Sequence, residues 1–254
     1  SEMCIRDSCL YVVVRGEVWA LGASNAYGQW GAGRDAPPGA WHRVRLPRGV
    51  CVRAMAGGVR HCLVAVDERG QHVVYGWGQA RHGELRRVPP TPPYVWYTPV
   101  VVHAWPATHA SSLALGMHHT VIGAYARGET ELVAYGSNRR GQLDVPRGRR
   151  PGRWIPTCNW HTTLVWGDDV MEVYGARQHG QGVGPGVPCR GAVQVSSGSE
   201  HSAMLRDGVV YGWGWDEHGS VGGGGAAVGA PRVLASEAEG VWTGYGTTWV
   251  KLRA

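Results

Sequence analysis

The stretch GSEHSAMLRDGVVYGWGWDEHG, residues 198–219, decides the fold of this chain. A short β-rich run begins at His201, and a second run ends in the aromatic–glycine corner YGWG at residues 211–214. Between the two runs stands Asp207-Gly208, a pair that readily supplies the positive φ angles of a tight antiparallel turn. The stretch therefore predicts a β-hairpin followed by a glycine-bounded closing turn, WDEHG.

The corner and its closing turn recur along the chain, so the hairpin is one unit of a repeat. The closing glycines, at spacings of 55, 58, 39 and 39 residues, are Gly28, Gly83, Gly141, Gly180 and Gly219. A second signature, GxxH, precedes the hairpins and consists of a small residue three positions before a histidine. The histidines of this signature are His61, His119, His161 and His201, and a last copy at residues 244–247 carries threonine instead.

Repeats of this kind predict an all-β fold. No segment shows a convincing helical apolar period, and the 40 Gly and 15 Pro residues would interrupt most candidate helices. A unit of a few short strands cannot bury both faces of its sheet alone, so neighbouring sheets have to pack against each other. Glycine signatures that recur every 39 to 58 residues favour a β-propeller over a β-sandwich.

The predicted propeller is a single domain over residues 9–254. The first eight residues, SEMCIRDS, do not continue the pattern and resemble a translated sequencing-adapter remnant, so we expect them to lie outside the fold. Residues 86–112 are the largest departure from the repeat, and their Pro-rich run at residues 89–93 predicts a rigid surface insertion. A polyproline ligand for a small recognition domain is the alternative for this segment.

Composition removes several classes of protein. Hydrophobic residues make up 43% of the 254 residues and charged residues 17%, which is typical of a folded chain. The single lysine, Lys251, is three residues from the last one, so a P-loop, a kinase-type strand lysine and a buried Schiff-base lysine have no candidate. The longest apolar runs are far shorter than the ~18 residues of a membrane helix, so no membrane partner is expected.

Charge and cysteine usage leave two questions open. The net charge of +6 suits a polyanionic partner, but the arginine excess also fits a GC-rich coding bias, so direct nucleic-acid binding is left undecided. The six cysteines include no CxxC pair, which favours a reducing compartment and argues against structural zinc. We expect a cytoplasmic location, and the nucleus as a further location.

Seven of the twelve histidines occupy two repeat positions. Four belong to the GxxH signature, and three, His82, His179 and His218, directly precede a closing glycine. We expect them to hydrogen-bond backbone between strands, because neutral imidazole can do so through both ring nitrogens. We predict no metal, no other cofactor and no catalytic residue, because GxSxG is absent, no carboxylate pair recurs and the glycine-rich segments lack nucleotide-binding spacing.

The last repeat offers the best candidate for a binding surface. Large rigid rings beside charged residues are typical of an interface hot spot. The closing turn of this repeat places four such residues in a row: Trp215, Asp216, Glu217 and His218. Trp213 aligns with Trp77, which favours packing between sheets for Trp213, whereas core packing and partner contact are both open for Trp215.

The GxxH signature, the hairpin and the YGWG or YGSNxxGQL turn together resemble the repeat of the regulator of chromosome condensation (RCC1), a family of seven-bladed propellers. The resemblance covers nearly all of residues 9–252. It implies that about five of seven blades are present, that two lie upstream, and that this chain alone would form an open arc.

Within that family, the C-terminal third is similar to the branch of the fungal α-tubulin suppressors, through GSEH at 198–201, GWGWDEHG at 212–219 and TTWV at 247–250. The resemblance implies a protein partner, a small zinc- or iron-binding CSL-domain protein, with any metal held by that partner. It also implies a role in diphthamide synthesis and in Elongator-dependent modification of the tRNA wobble uridine. Trp160 and Trp249 lie in matching segments and complete the set of expected partner contacts.

Two other functions stay open. The founding member of the family promotes guanine-nucleotide exchange on a small nuclear GTPase, but no segment here matches the protruding wedge that exchange requires. A generic interaction scaffold is the third possibility, because a fold does not determine function.

Overall fold

The computed structural model describes the backbone of residues 3–6 and, with their side chains, residues 9–106, 109–167, 169–182, 189–225 and 227–253. Every regular element in this part of the chain is a β-strand, and the strands form six sheets. Among these residues there is no helix of the length and apolarity that a membrane crossing needs. The all-β prediction is confirmed.

Within each sheet the strands follow chain order. The first sheet contains β1 (Met3–Arg6), β2 (Cys9–Val14), β3 (Glu17–Gly22) and β4 (His42–Arg43). The second contains β5 (Cys51–Gly57), β6 (His61–Glu68), β7 (Gln71–Gln79) and β8 (Val95–Trp105). The third contains β9 (Ala110–Leu115), β10 (His119–Ala126), β11 (Glu129–Gly136) and β12 (Gly148–Pro151).

The remaining sheets are of unequal size. The fourth has three strands, β13 (Ile155–Cys158), β14 (Thr162–Gly167) and β15 (Val170–Gly175). The fifth has four, β16 (Ala192–Ser197), β17 (His201–Arg206), β18 (Val209–Gly214) and β19 (Val228–Ala235). The sixth consists of β20 (Ala238–Thr243) and β21 (Thr248–Leu252).

The strands group into two compact units, residues 1–127 with 133–137 and residues 128–132 with 138–254. In the first unit, Trp77 belongs to the apolar core between the first and second sheets, and Leu85 to the core between the second and third. In the second unit, Trp213 belongs to the core between the fourth and fifth sheets, and Val241 to the core between the fifth and sixth. Within each unit, sheets that are neighbours in sequence therefore bury apolar surface against one another.

Four glycines at the ends of hairpins allow a very close backbone approach. Their φ angles are 105° to 112°, and a Cβ at any of them would lie 2.3–2.5 Å from a carbonyl oxygen of the preceding GxxH loop. The N–H of the following residue donates to that same oxygen at 2.8–3.0 Å. These corner glycines are Gly78, Gly136, Gly175 and Gly214.

The predicted placement of His161 in the GxxH signature is wrong. In four loops the N–H of the first residue donates to the carbonyl of the fourth, as from Gly198 to His201 at 2.8 Å, but the remaining loop makes this bond from Asn159 to Thr162 at 2.9 Å. Thr162 is therefore the equivalent residue, fully buried, and its hydroxyl donates to the carbonyl of Ala176 at 2.7 Å. His161 lies one position earlier and is only half-buried.

Two segments outside the predicted repeat pattern also contribute strands. Met3–Arg6 pairs with β2 as an antiparallel strand, so these four residues are part of the first sheet, while residues 1, 2, 7 and 8 lie outside the described residues. The predicted insertion at 86–112 contains β8, which is the fourth strand of the second sheet, and the beginning of β9, the first strand of the third. Val102 and Trp105 of β8 are core residues. The part before Val95, with its proline run, is a loop.

Within the second unit, an ion pair joins Arg150 of β12 to Glu172 of β15. The Arg150 guanidinium donates to both carboxylate oxygens of Glu172, at 2.8 and 3.0 Å, and stacks 3.4 Å from the centre of the Trp154 ring. The bonds from Arg150 favour the ionised carboxylate more than burial opposes it, so they hold the pKa of Glu172 below its ordinary value.

We predict that Gly214→Ala lowers the free energy of unfolding by about 2 kcal/mol or more, because its Cβ would meet the carbonyl oxygen of Glu200 at 2.5 Å in a backbone conformation that alanine disfavours. Gly246→Ala is the matched control, since a Cβ there meets nothing within 4 Å. Urea unfolding followed by tryptophan fluorescence measures both. Equal stability of the two variants would contradict the proposed role of the corner glycine.

The Arg150–Glu172 pair predicts a pH-dependent stability difference. Because the pKa of Glu172 is lower in the folded chain than in the unfolded one, its contribution is fully present above about pH 5 and is lost as the pH falls through the folded pKa. Glu172→Gln should therefore cost about 1 kcal/mol at pH 7 and nothing at strongly acidic pH. Urea titrations of both proteins across this range test it; a difference independent of pH would rule out the ion pair as the cause.

Candidate protein-interaction surface

The closing turns confirm the predicted repeat. In all five, the N–H of the closing glycine donates to the carbonyl three residues earlier at 2.9–3.2 Å, and the glycine has a φ of 70° to 83°. This geometry fixes the backbone on both sides of the turn. It also places the residue just before the closing glycine at the same point of every repeat.

Two repeat positions meet between successive sheets. One is the residue before a closing glycine. The other is the third residue of the next GxxH loop, which comes directly before the histidine of that loop. Three such pairs make ring or charge contacts: Tyr27 with Arg60, 4.2 Å from ring centre to guanidinium carbon; His82 with His118, 4.6 Å between ring centres; and His179 with Glu200, 2.8 Å from Nδ1 to a carboxylate oxygen. The backbone is constant at these positions and the side-chain chemistry is not.

In the second unit such a pair lies beside two of the predicted partner residues. The half-buried indole of Trp215 lies 6.1 Å from the His179 ring and 5.2 Å from the His218 ring, measured between ring centres. The N–H of Trp215 donates to the carbonyl of Glu200 at 2.9 Å, which fixes the base of the side chain. His218 and its neighbour Glu217 are exposed.

The adjoining loops bring a second aromatic pair to the same surface. The N–H of Trp160 donates to the carbonyl of Ser199 at 2.8 Å, and the N–H of Ser199 donates to the carbonyl of Tyr245 at 3.2 Å. The two rings meet edge to face, 4.9 Å apart, and Tyr245 is 54% exposed. We call this set the loop surface; its members are Trp160, His179, Glu200, Trp215, Glu217, His218 and Tyr245.

The predicted contact through Asp216 is wrong. Its side chain is fully buried, and its two carboxylate oxygens accept the N–H groups of Val221 and Gly223 at 2.7 and 2.5 Å. Asn25 and Asn138 stand at the same repeat position and accept a backbone N–H five residues on in the same way. Asp216 therefore holds the loop that follows the turn and is out of a partner's reach.

Trp249 has a different environment from the other predicted contacts. It is on β21, 67% exposed, directly opposite Trp242 of β20, which is 52% exposed. The loop surface instead includes three residues that were not among the predicted partner contacts: His179, Glu200 and Tyr245. The signal for them was their repeat position, since each lies in a closing turn or a GxxH loop. Trp213 is fully buried, as its alignment with Trp77 indicated.

Comparisons with known proteins show which repeat the chain resembles. The family model of the regulator of chromosome condensation (RCC1) repeat matches residues 192–220. The chain is 29% identical to the ultraviolet-B receptor UVR8 of Arabidopsis thaliana over 220 residues, covering 86% of this chain and 42% of that protein. It is 27% identical to the secretion-regulating guanine nucleotide exchange factor of Bos taurus, covering 91% and 58%. The chain thus spans about half the length of the curated relatives it matches.

Solved structures show the same fold. Human WBSCR16 superposes with a TM-score of 0.76 at 19% identity, covering 98% of this chain and 71% of that one. Prp20p from Saccharomyces cerevisiae superposes with a TM-score of 0.73 at 18% identity, covering 96% and 67%. These comparisons support the RCC1 repeat, and the narrower resemblance to the fungal α-tubulin suppressors stays a prediction.

The different environments of Asp216 and Glu217 predict different effects of substitution. Asp216→Ala should lower the free energy of unfolding by about 1–3 kcal/mol, because it leaves two backbone N–H groups without acceptors. Asp216→Asn should cost less, since asparagine fills this position in two other repeats. Glu217→Ala is the exposed control and should change stability by less than about 0.5 kcal/mol. Urea unfolding compares the three; a neutral Asp216→Ala would contradict the assigned role.

Proposed function

From a chain that is a β-propeller built of RCC1-type repeats, we propose a function in binding another protein rather than in catalysis. The observation that carries the proposal is the loop surface. Its aromatic rings are held by backbone hydrogen bonds at their bases and leave polar and charged groups at the edge. Rigid aromatic anchors beside a polar rim are the arrangement of protein-interaction hot spots.

The loop surface is rigid where a binding anchor needs to be. The backbone N–H groups of Trp160 and Trp215 are both bonded to the 198–201 loop, which ties the two anchors to one another. Side chains held in place before binding lose less conformational entropy on association. The hydrogen-bonded pair of His179 and Glu200 adds polar groups to this surface, so a partner with matching polar groups gains specificity there.

The partner that we propose is a small CSL-type metalloprotein, in a complex that supports diphthamide synthesis and Elongator-dependent modification of the tRNA wobble uridine. Support comes from the resemblance of residues 198–201, 212–219 and 247–250 to the fungal α-tubulin suppressors. In this proposal the complex is cytoplasmic, and the nucleus is a further location.

Guanine-nucleotide exchange on a small nuclear GTPase is the second candidate. It is favoured by the similarity to the bovine exchange factor, which extends over 91% of this chain. A general interaction scaffold would use the same loop surface and differ only in its partner.

The proposal predicts that Trp215→Ala weakens binding to a purified CSL-type protein by about tenfold or more, because it removes an anchor ring from the interface. Isothermal titration calorimetry measures the affinity. Trp41→Ala is the matched control: Trp41 is 43% exposed in the first unit and should leave the affinity unchanged. Thermal unfolding of both variants should stay near that of the unchanged chain.

The outcomes separate the candidates. Accelerated release of fluorescent GDP from a small nuclear GTPase, without binding of the CSL-type protein, would establish the second candidate. A Trp215→Ala chain that binds normally would remove the loop surface from the proposal. A large loss of stability in that variant would assign the indole to the core.

A further inference from the structure

One buried repeat position carries a charge that its structural role does not require. The residue after the closing glycine accepts, through one side-chain oxygen, the backbone N–H located two residues earlier, at 2.8–2.9 Å in four repeats. All four side chains are at most 7% exposed. They are Gln29, Glu84, Gln142 and Gln181.

A neutral amide is sufficient for this hydrogen bond in three of the four repeats. In the second repeat the residue is Glu84, which is 1% exposed. Burying a carboxylate is costly unless a cation or several hydrogen bonds compensate for the lost hydration. The backbone N–H groups of His82 and of Glu84 itself favour the ionised carboxylate, and one of its oxygens remains to face a further group.

The second oxygen faces an imidazole. Oε1 of Glu84 lies 3.5 Å from Nδ1 of His118, which is longer than a good hydrogen bond. This Nδ1 atom is buried and makes no hydrogen bond of good geometry to any residue that the structure describes, although the His118 side chain as a whole is 25% exposed. The ring of His82 lies 4.6 Å from that of His118, and both rings flank Glu84 in the first unit.

The three side chains have the spacing of metal ligands. One ligand atom from each of His82, Glu84 and His118 lies within 4.8 Å of the other two. Ligands bound to one tetrahedral zinc ion at about 2.0–2.1 Å are roughly 3.3–3.4 Å apart, so small side-chain rotations would bring these atoms into a coordination shell. Two imidazole nitrogens and one carboxylate oxygen suit a borderline divalent metal rather than Ca²⁺ or Mg²⁺.

We propose that His82, Glu84 and His118 form a binding site for a divalent transition-metal ion, with Zn²⁺ as the ion that this donor set fits. The bond from the His82 N–H to Glu84 fixes the carboxylate, and the partial exposure of His118 gives the ion access from solvent. Three protein ligands leave a coordination position free for water or for a group of a partner. The site is independent of the proposed function, because none of its residues belongs to the loop surface.

The fourth repeat provides an internal comparison. His179 and Glu200 stand at the positions of His82 and His118, but the residue between them in the repeat is Gln181. There the histidine nitrogen meets the carboxylate directly at 2.8 Å, and a neutral amide occupies the buried position. Among the residues described by the structure, the His82 cluster alone places three ligand atoms together.

The test titrates ZnCl₂ into the chelator-treated, dialysed chain by isothermal titration calorimetry. We expect saturable binding of an ion that Glu84→Gln weakens by at least about tenfold, because this change keeps the backbone hydrogen bond and removes the carboxylate. Glu84→Gln should fold, since glutamine fills this position in three other repeats. His118→Ala is the second variant, and His218→Ala, an exposed histidine of the other unit, is the control and should bind as the unchanged chain does.

Thermal unfolding gives a second readout, since an ion that binds only the folded chain raises the unfolding midpoint. Zinc should raise the midpoint of the unchanged chain and of His218→Ala, and should not raise that of Glu84→Gln or His118→Ala. Absence of saturable zinc binding by the unchanged chain would overturn the proposal. Equal affinity in the unchanged chain and in Glu84→Gln would overturn it as well.

Discussion

The structure depends on a close approach of two backbone segments that only glycine permits. At each corner the chain passes so near the carbonyl oxygen of the GxxH loop that a Cβ would fall 2.3–2.5 Å from it. The next N–H then donates to the same oxygen. This junction ties the end of one strand to the loop that begins its neighbour, and it repeats at Gly78, Gly136, Gly175 and Gly214. Because the junction is backbone only, it sets the direction of the closing turn whatever the nearby side chains are.

Because the junction fixes the backbone, some positions of the repeat stabilise the turn while others vary in side-chain chemistry. The closing glycine, the buried Gln or Glu after it and the Asx residue before it hold the turn. The residue before the closing glycine and the loop residue opposite it are free to vary, and they form a cation–π pair, an imidazole pair or a hydrogen-bonded histidine–carboxylate pair in different repeats. Both proposals made for this molecule, the protein-binding loop surface and the metal site, use this variable pair on a constant backbone.

The fold could be predicted from the sequence because glycines mark each repeat, and backbone geometry requires glycine at those positions. The position of His161 was missed because Asn159 starts its loop in place of glycine, its amide donating to the carbonyls of Gly198 and His201. Residues 86–112 looked like an insertion because β8 is longer than the corresponding β19 and its connection contains prolines. Asp216 looked like a contact residue because charge beside tryptophan is typical of surfaces. The meeting of His82 with His118 depends on sheet stacking, which spacing along the chain does not reveal.

Native-state hydrogen exchange tests the central claim most directly, because it reports the opening free energy of individual amides. The amides that donate across the corners belong to Gln79, Ser137, Ala176 and Trp215. If the glycine junctions hold the two strands of each hairpin together, these four amides exchange as slowly as those of the central strands in their own sheets. Exchange at the rate of the exposed turn residues Arg139 and Glu217 would contradict the account.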